Sequence, residues 1–168
     1  MALGLSSYAR LFLTDEAGVR QSQKAPLLVW ESPIKGKGEP LLLGTSTGGS
    51  SSRPRASEPL VFEVKKGNSR QNAFGMGVTV GRTDNNDIIV DDNSISRFHA
   101  YFLQDAKTYE WKLVDAESKN GTWVGPLKLK AKQSEPLLDL TRVRFGEIEM
   151  VFLLPDSFFT YLQRLMGP

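Results

Sequence analysis

Cysteine is absent from this 168-residue chain, and histidine occurs once, as His99. Without cysteine there is no disulfide framework and no thiolate chemistry, which fits a reducing compartment. A lone histidine cannot by itself assemble a zinc site, so no metal and no cofactor are expected. Long apolar runs are missing too: the longest uninterrupted one, Met150 to Leu154, falls far short of the roughly 18 residues a membrane span needs. Gly4, Ser6, Ser7 and Arg10 interrupt what would be the apolar core of a secretory signal. These absences predict a cytoplasmic protein that does not enter a membrane. An excess of one charge is also lacking, since 21 Lys and Arg face 19 Asp and Glu for a net charge of +2. That is too little for a nucleic-acid partner held by phosphate neutralisation, so any anion site must be local.

What is present is an ordinary globular composition, 40% hydrophobic and 24% charged, in a length that suits one domain with an appendage. From Gly44 to Pro59 the chain is Gly, Ser, Thr, Pro and Arg with almost nothing apolar, which reads as a linker. The expected division is an N-terminal extension over residues 1–58, a main domain over 59–155 and a C-terminal helix over 156–168. Within the extension, Ala9 to Leu13 and Leu27 to Trp30 read as two short strands joined through the turn-like Thr14 to Gly18, with Leu41 to Leu43 a third apolar patch.

Beyond the linker the apolar runs are short, β-branched and aromatic. They fall at Leu60 to Val64, Val78 to Val80, Asp87 to Val90, His99 to Leu103, Glu110 to Val114, Thr122 to Val124, Thr141 to Phe145 and Ile148 to Leu154. Short strands at this spacing, with Phe62 and Val64 or Trp111 and Leu113 keeping a period of two, predict an all-β sandwich or barrel. Behind Pro155 the period changes, and Phe158, Phe159, Leu162, Leu165 and Met166 predict a short helix capped at Asp156 or Ser157 and laid on the sandwich.

Three polar clusters lie between these strands: Gly81-Arg82, Ser96-Arg97-Phe98-His99, and Ser118-Lys119-Asn120-Gly121-Thr122. In this order and on this background they resemble the forkhead-associated (FHA) domain, a phosphothreonine-binding module with the pattern G-R, S-x-x-H, N-G. The resemblance runs from about Leu60 to Leu154. It implies an FHA-type β-sandwich that catalyses no reaction and binds a phosphothreonine-containing protein, such as a Ser/Thr kinase or its substrate. A phosphothreonine offers about −1.5 to −2 charges and three acceptor oxygens, which call for a guanidinium, a hydroxyl and backbone donors. By the resemblance, Arg82 and Ser96 contact the phosphate, Asn120 holds the peptide main chain, and Arg97 and Lys119 make further peptide contacts. Gly81, His99 and Gly121 take structural roles, His99 as a tie between loops.

Other readings of the same residues stay open at this point. Arg82 can instead pair with Asp84 or Asp87, and Ser96 and Asn120 can serve as turn residues alone. The sandwich can be a scaffold that binds unphosphorylated partners, or a hydrolase using Ser96 or Ser94. Gly125-Pro126 stands where the family often repeats Asn-Gly, which implies a reshaped turn. Asp91 and Asp92 would repel a phosphate unless they turn outward. Gly44 to Ser51 mimics a phosphate-binding loop but has Ser50 where lysine is required. Asp84 to Asp87 mimics the start of a calcium loop but continues with Ile88 and Ile89.

Overall fold

Alternating apolar and polar residues lay down most of the strands of a two-layer sandwich in the computed structural model, which describes residues 2–32, 58–67 and 77–167. The elements in chain order are β1 (Ala2–Gly4), α1 (Leu5–Thr14), α2 (Glu16–Ser22), β2 (Leu27–Trp30), β3 (Leu60–Glu63), β4 (Val78–Gly81), β5 (Ile88–Ile89), β6 (Ala100–Gln104), β7 (Trp111–Asp115), β8 (Thr122–Val124), β9 (Leu127–Lys128), β10 (Ser134–Leu137), β11 (Thr141–Phe145), β12 (Ile148–Leu153) and α3 (Pro155–Met166). A seven-stranded sheet has the order β1-β3-β2-β12-β11-β8-β9, and a five-stranded sheet the order β10-β7-β6-β4-β5. The β4–β5 pair is parallel, with Val80 opposite Ile88.

Between the sheets lie Phe62, Val80, Phe102, Leu113, Phe145, Met150 and Phe152, all 3% exposed or less. Phe102 stacks on Phe152 with centroids 6.2 Å apart, joining the two layers. Burying each of these large side chains contributes about 1.5–3 kcal/mol. The core is what holds the loop ends in place.

A second apolar cluster covers part of the outer face of the larger sheet. Leu5, Tyr8 and Phe12 of α1 meet Phe158, Phe159 and Leu162 of α3 over Leu27, Val29, Val61 and Leu153. Tyr8 meets Phe158 edge-on at 5.3 Å, and Phe12 stacks on Phe159 at 5.6 Å. The Arg20 guanidinium closes the stack 4.8 Å from the Phe159 ring centroid. The strand expected over Ala9 to Leu13 is therefore a helix. Its buried residues, Leu5, Tyr8 and Phe12, fall at helical spacing on one face, whereas Leu11 and Leu13 are 53% and 71% exposed.

Leu27 to Trp30 is a strand as expected, and it sits inside the larger sheet between β3 and β12, with Val29 opposite both Val61 and Val151. It is buried along its whole length because the sandwich core covers one face and the helices the other. The segment set apart by composition as an extension thus supplies a central strand. At the other end Pro155 occupies the first turn of α3 and Leu154 takes the N-cap position, where proline suits a helix. The capping groups expected of Asp156 or Ser157 come from Asp139 instead. Its carboxylate accepts from the Leu154 N–H at 2.8 Å and from the Ser157 hydroxyl. Leu41 to Leu43 and nearly all of the Gly44 to Pro59 stretch lie outside the described residues. Among those described, no helix is long and apolar enough to cross a membrane.

Candidate functional site

Strand β4 ends on Gly81, where another backbone passes through the space a side chain would need. A Cβ there would stand 2.1 Å from the Arg97 carbonyl oxygen and 2.5 Å from Asn86 Nδ2. Asn86 donates from Nδ2 to that carbonyl at 2.7 Å and to the Thr83 carbonyl at 2.9 Å. The Thr83 hydroxyl donates to the Arg97 carbonyl at 3.0 Å, and the Arg82 N–H to the Ser96 carbonyl at 3.0 Å. The loops after β4 and before β6 are thereby laced together, with the half-buried Arg82 side chain between them. Asp87 is not its partner. That carboxylate accepts from Lys66 Nζ at 2.9 Å, the Gly67 N–H at 2.9 Å and the Thr79 N–H at 2.8 Å. Among the described residues the Arg82 guanidinium meets no carboxylate within ion-pair distance.

His99 joins two of the three loops. It is fully buried. The Ser96 N–H donates to Nδ1 at 3.0 Å, and Nε2 donates to the Gly121 carbonyl at 2.8 Å. A carbonyl can only accept, so the proton is on Nε2 and Nδ1 is bare. The segment is a turn rather than extended chain, so Ser96 and His99 do meet, but through the serine backbone and not its hydroxyl. Burial pushes the His99 imidazole below its ordinary value, opposed by the Gly121 hydrogen bond and the Asp115 charge.

The pH dependence follows from that direction. The unfolded chain takes up this proton first, near pH 6.5, so folding stability is full above that value and declines as pH falls below it. Thermal midpoints measured downward from about pH 7.5 should fall, and His99→Gln, which cannot titrate, should flatten that part of the curve.

The third loop is built on Asp115, a buried carboxylate at the end of β7. It accepts from the Ser118 hydroxyl at 2.5 Å and the Thr122 hydroxyl at 2.6 Å. The Ser118 hydroxyl oxygen accepts in turn from the Gly121 N–H at 3.0 Å. The loop bends at Glu117, which holds a left-handed φ of 61°, and at Gly121 with φ 94°. At its tip the Lys119 N–H donates to Ser96 Oγ at 3.0 Å, and Asn120 Nδ2 donates to the Ser94 carbonyl at 2.9 Å. The Ser96 hydroxyl oxygen thus accepts one hydrogen bond, and among the described residues its own proton has no acceptor.

Arg82, Ser96, Arg97, Lys119 and Asn120, the expected binding residues, line one open cleft of about 520 Å³, together with Asn93, Ile95, Phe98 and Glu117. Those last four were not singled out from sequence. Asn93, Ile95 and Glu117 lie outside the three polar clusters, and Phe98 stands inside one without a role of its own in the resemblance. Three cations face one carboxylate in this cleft, which suits a multiply charged anion. Asp92 spends its Oδ1 on Ser94, accepting from the N–H at 2.8 Å and the hydroxyl at 2.7 Å. The Ser94 hydroxyl oxygen receives the Glu147 N–H at 3.0 Å. After β8, Gly125-Pro126 forms a two-residue hairpin turn that pairs Val124 with Leu127.

The FHA domain family matches residues 78–146, the stretch that contains all three loops. An oxoglutarate dehydrogenase inhibitor of Corynebacterium jeikeium is 33% identical over 111 residues, covering 64% of this chain and 72% of that one. The chain belongs to the FHA-domain family. A counterpart with the same name in Corynebacterium diphtheriae is 28% identical over 144 residues, 84% of this chain and 96% of its own. Among solved structures, the N-terminal FHA domain of S. cerevisiae Rad53p, in complex with a phosphothreonine peptide, is similar at a TM-score of 0.44 and 22% identity. It covers 51% of this chain and 73% of that one. In this FHA domain the family match begins at β4 and ends at Gly146, so β2, β3 and β12 lie outside it.

Proposed function

We propose that the cleft binds a phosphothreonine-containing segment of a partner protein and catalyses no reaction. The observation that carries this reading is the convergence of Arg82, the Ser96 hydroxyl and Asn120 from three loops on one cleft with an excess of positive charge. Arg82 meets two phosphate oxygens through its fork, and Ser96 donates its free hydroxyl proton to the third. Asn120, anchored through Nδ2, offers its carbonyl to the peptide main chain, while Arg97 and Lys119 meet flanking residues. Both nitrogens of His99 are engaged by backbone groups, so the imidazole serves neither Ser96 nor Ser94 as a general base, which disfavours a serine–histidine hydrolase.

The partner in this reading is a Ser/Thr kinase or its substrate in the cytoplasm. The Corynebacterium relatives are named as inhibitors of oxoglutarate dehydrogenase, so we extend to this chain the role their name gives, the inhibition of an enzyme. The folding unit of this binder comprises β1 to β2 as well as residues 59–155.

Titration with a phosphothreonine peptide, its phosphoserine copy and its unphosphorylated copy tests the reading. The unphosphorylated peptide should bind far more weakly; equal binding would favour a phosphate-independent scaffold. Phosphothreonine should exceed phosphoserine by about tenfold. Burying one methyl gives about 0.8 kcal/mol, or roughly fourfold, and the stiff β-branched rotamer adds an entropic share. Ile95 in the cleft wall supplies the apolar contact. Equal affinity for the two phosphopeptides would mean that the site reads bare phosphate.

A further inference from the structure

Helices α1 and α3 cover the outer face of the larger sheet over β2, β3 and β12, and the rest of that face carries an unusual row of side chains. Across β9, β8, β11 and β12 the register places Lys128, Trp123, Arg144 and Glu149 side by side. The Arg144 guanidinium lies 3.7 Å from the Trp123 ring centroid, and Lys128 Nζ lies 5.3 Å from it. Both distances are within the range of cation–π attraction.

The carboxylates nearby are spent on a different cation. Arg142 meets Glu149 at 3.0 Å and Glu31 at 3.9 Å. Among the described residues, Lys128, Arg144 and the exposed Arg164 of α3 have no carboxylate partner. Two clefts of about 290 and 320 Å³ share Arg142 in their walls, one running to Trp123 and Arg144, the other to Tyr161 and Arg164 along α3. The second has an apolar floor of Val151 and Leu153, with Leu140 at its rim, 65% exposed.

We propose that this trough is a second, phosphate-independent docking surface for an extended acidic segment of a partner protein, one that alternates carboxylates with apolar residues. Charge complementarity selects the occupant. Three cations that form no ion pair among the described residues flank a centre where Arg142 holds Glu31 and Glu149. A continuous phosphate backbone would meet those two carboxylates along its length, which disfavours nucleic acid. A peptide can set a leucine there and place its own carboxylates against Arg144, Lys128 and Arg164. The trough is separate from the cleft at Arg82 and shares no lining residue with it.

The test uses the full chain labelled with ¹⁵N and a short unphosphorylated peptide alternating glutamate with leucine. Amide shifts should concentrate in β8, β11 and α3 and at the Trp123 indole N–H, leaving Arg82, Ser96 and Asn120 unmoved. Binding should weaken with added salt. It should fall by about tenfold or more in the double variant Arg144→Glu, Arg164→Glu, which reverses two of the charges that the peptide meets. The same variant should bind a phosphothreonine peptide as the unmodified chain does, showing that it is folded. Shifts confined to the Arg82 cleft, or unchanged affinity in the double variant, would overturn the proposal. So would equally tight binding of a single-stranded oligonucleotide, or shifts at this face that follow protein concentration and mark a second copy as the occupant.

Discussion

Arg82→Ala should lower affinity for a phosphothreonine peptide by tenfold or more, with the thermal midpoint of unfolding nearly unchanged. A hydrogen bond to a charged group contributes about 1.5–3 kcal/mol, and a two-point contact to phosphate more. A tenfold change in affinity needs only about 1.4 kcal/mol. The fold should tolerate the change because the residue's structural link to Ser96 is a backbone bond that alanine retains. The side chain also holds no carboxylate among the described residues, so its loss strands no partner. Arg82→Lys should fall between, keeping the charge and losing the fork. Isothermal titration beside a melting curve separates the two effects; a dissociation constant that does not move would remove Arg82 from the site.

For His99→Ala the expected result is a loss of both stability and binding. The substitution strands the Ser96 N–H and the Gly121 carbonyl and opens a cavity beside Phe145, whose ring lies edge-on to the imidazole at 5.9 Å. Each stranded buried group costs about 1–3 kcal/mol. A total of roughly 3 kcal/mol would lower the midpoint by about 6–12 °C in a chain of this size. Binding should weaken with it, since Ser96 and Asn120 are positioned from the two loops that His99 joins. If stability held while binding alone fell, the imidazole would be a ligand contact rather than a tie.

The strands most readable from sequence are those with one face in the core. Phe62, Leu113, Val143, Phe145 and Phe152 announce β3, β7, β11 and β12 by their alternation. Strands β9 and β10 are not announced, because Leu127-Lys128 is exposed and Ser134 to Leu137 includes Pro136 on an edge, where pairing and not burial makes the strand. In the segment Ala9 to Leu13, Leu11, Phe12 and Leu13 look like a strand by apolarity, yet only Phe12 turns inward, and the helical period needs Leu5 and Tyr8 to be seen. The cleft was legible through its motif residues, each of which carries chemistry that packing does not explain. Asn86 and Asp115 escaped notice because their work is to hold backbone and hydroxyl groups of the loops, and a buried polar residue looks like a surface one until its partners are known.

The position of β2 sets the order in which this protein can form. Val29 pairs with Val61 on one side and with Val151 on the other, a contact that closes a loop of roughly 120 residues, and such closures are slow. A nascent chain that has not yet delivered β12 leaves β2 and β11 with unpaired backbone edges and the α1 face without the α3 aromatics. Those open edges invite pairing with other chains. Assembly of the larger sheet therefore waits for synthesis to pass Leu153, and a stop codon within β12 should yield aggregate rather than a shorter binder.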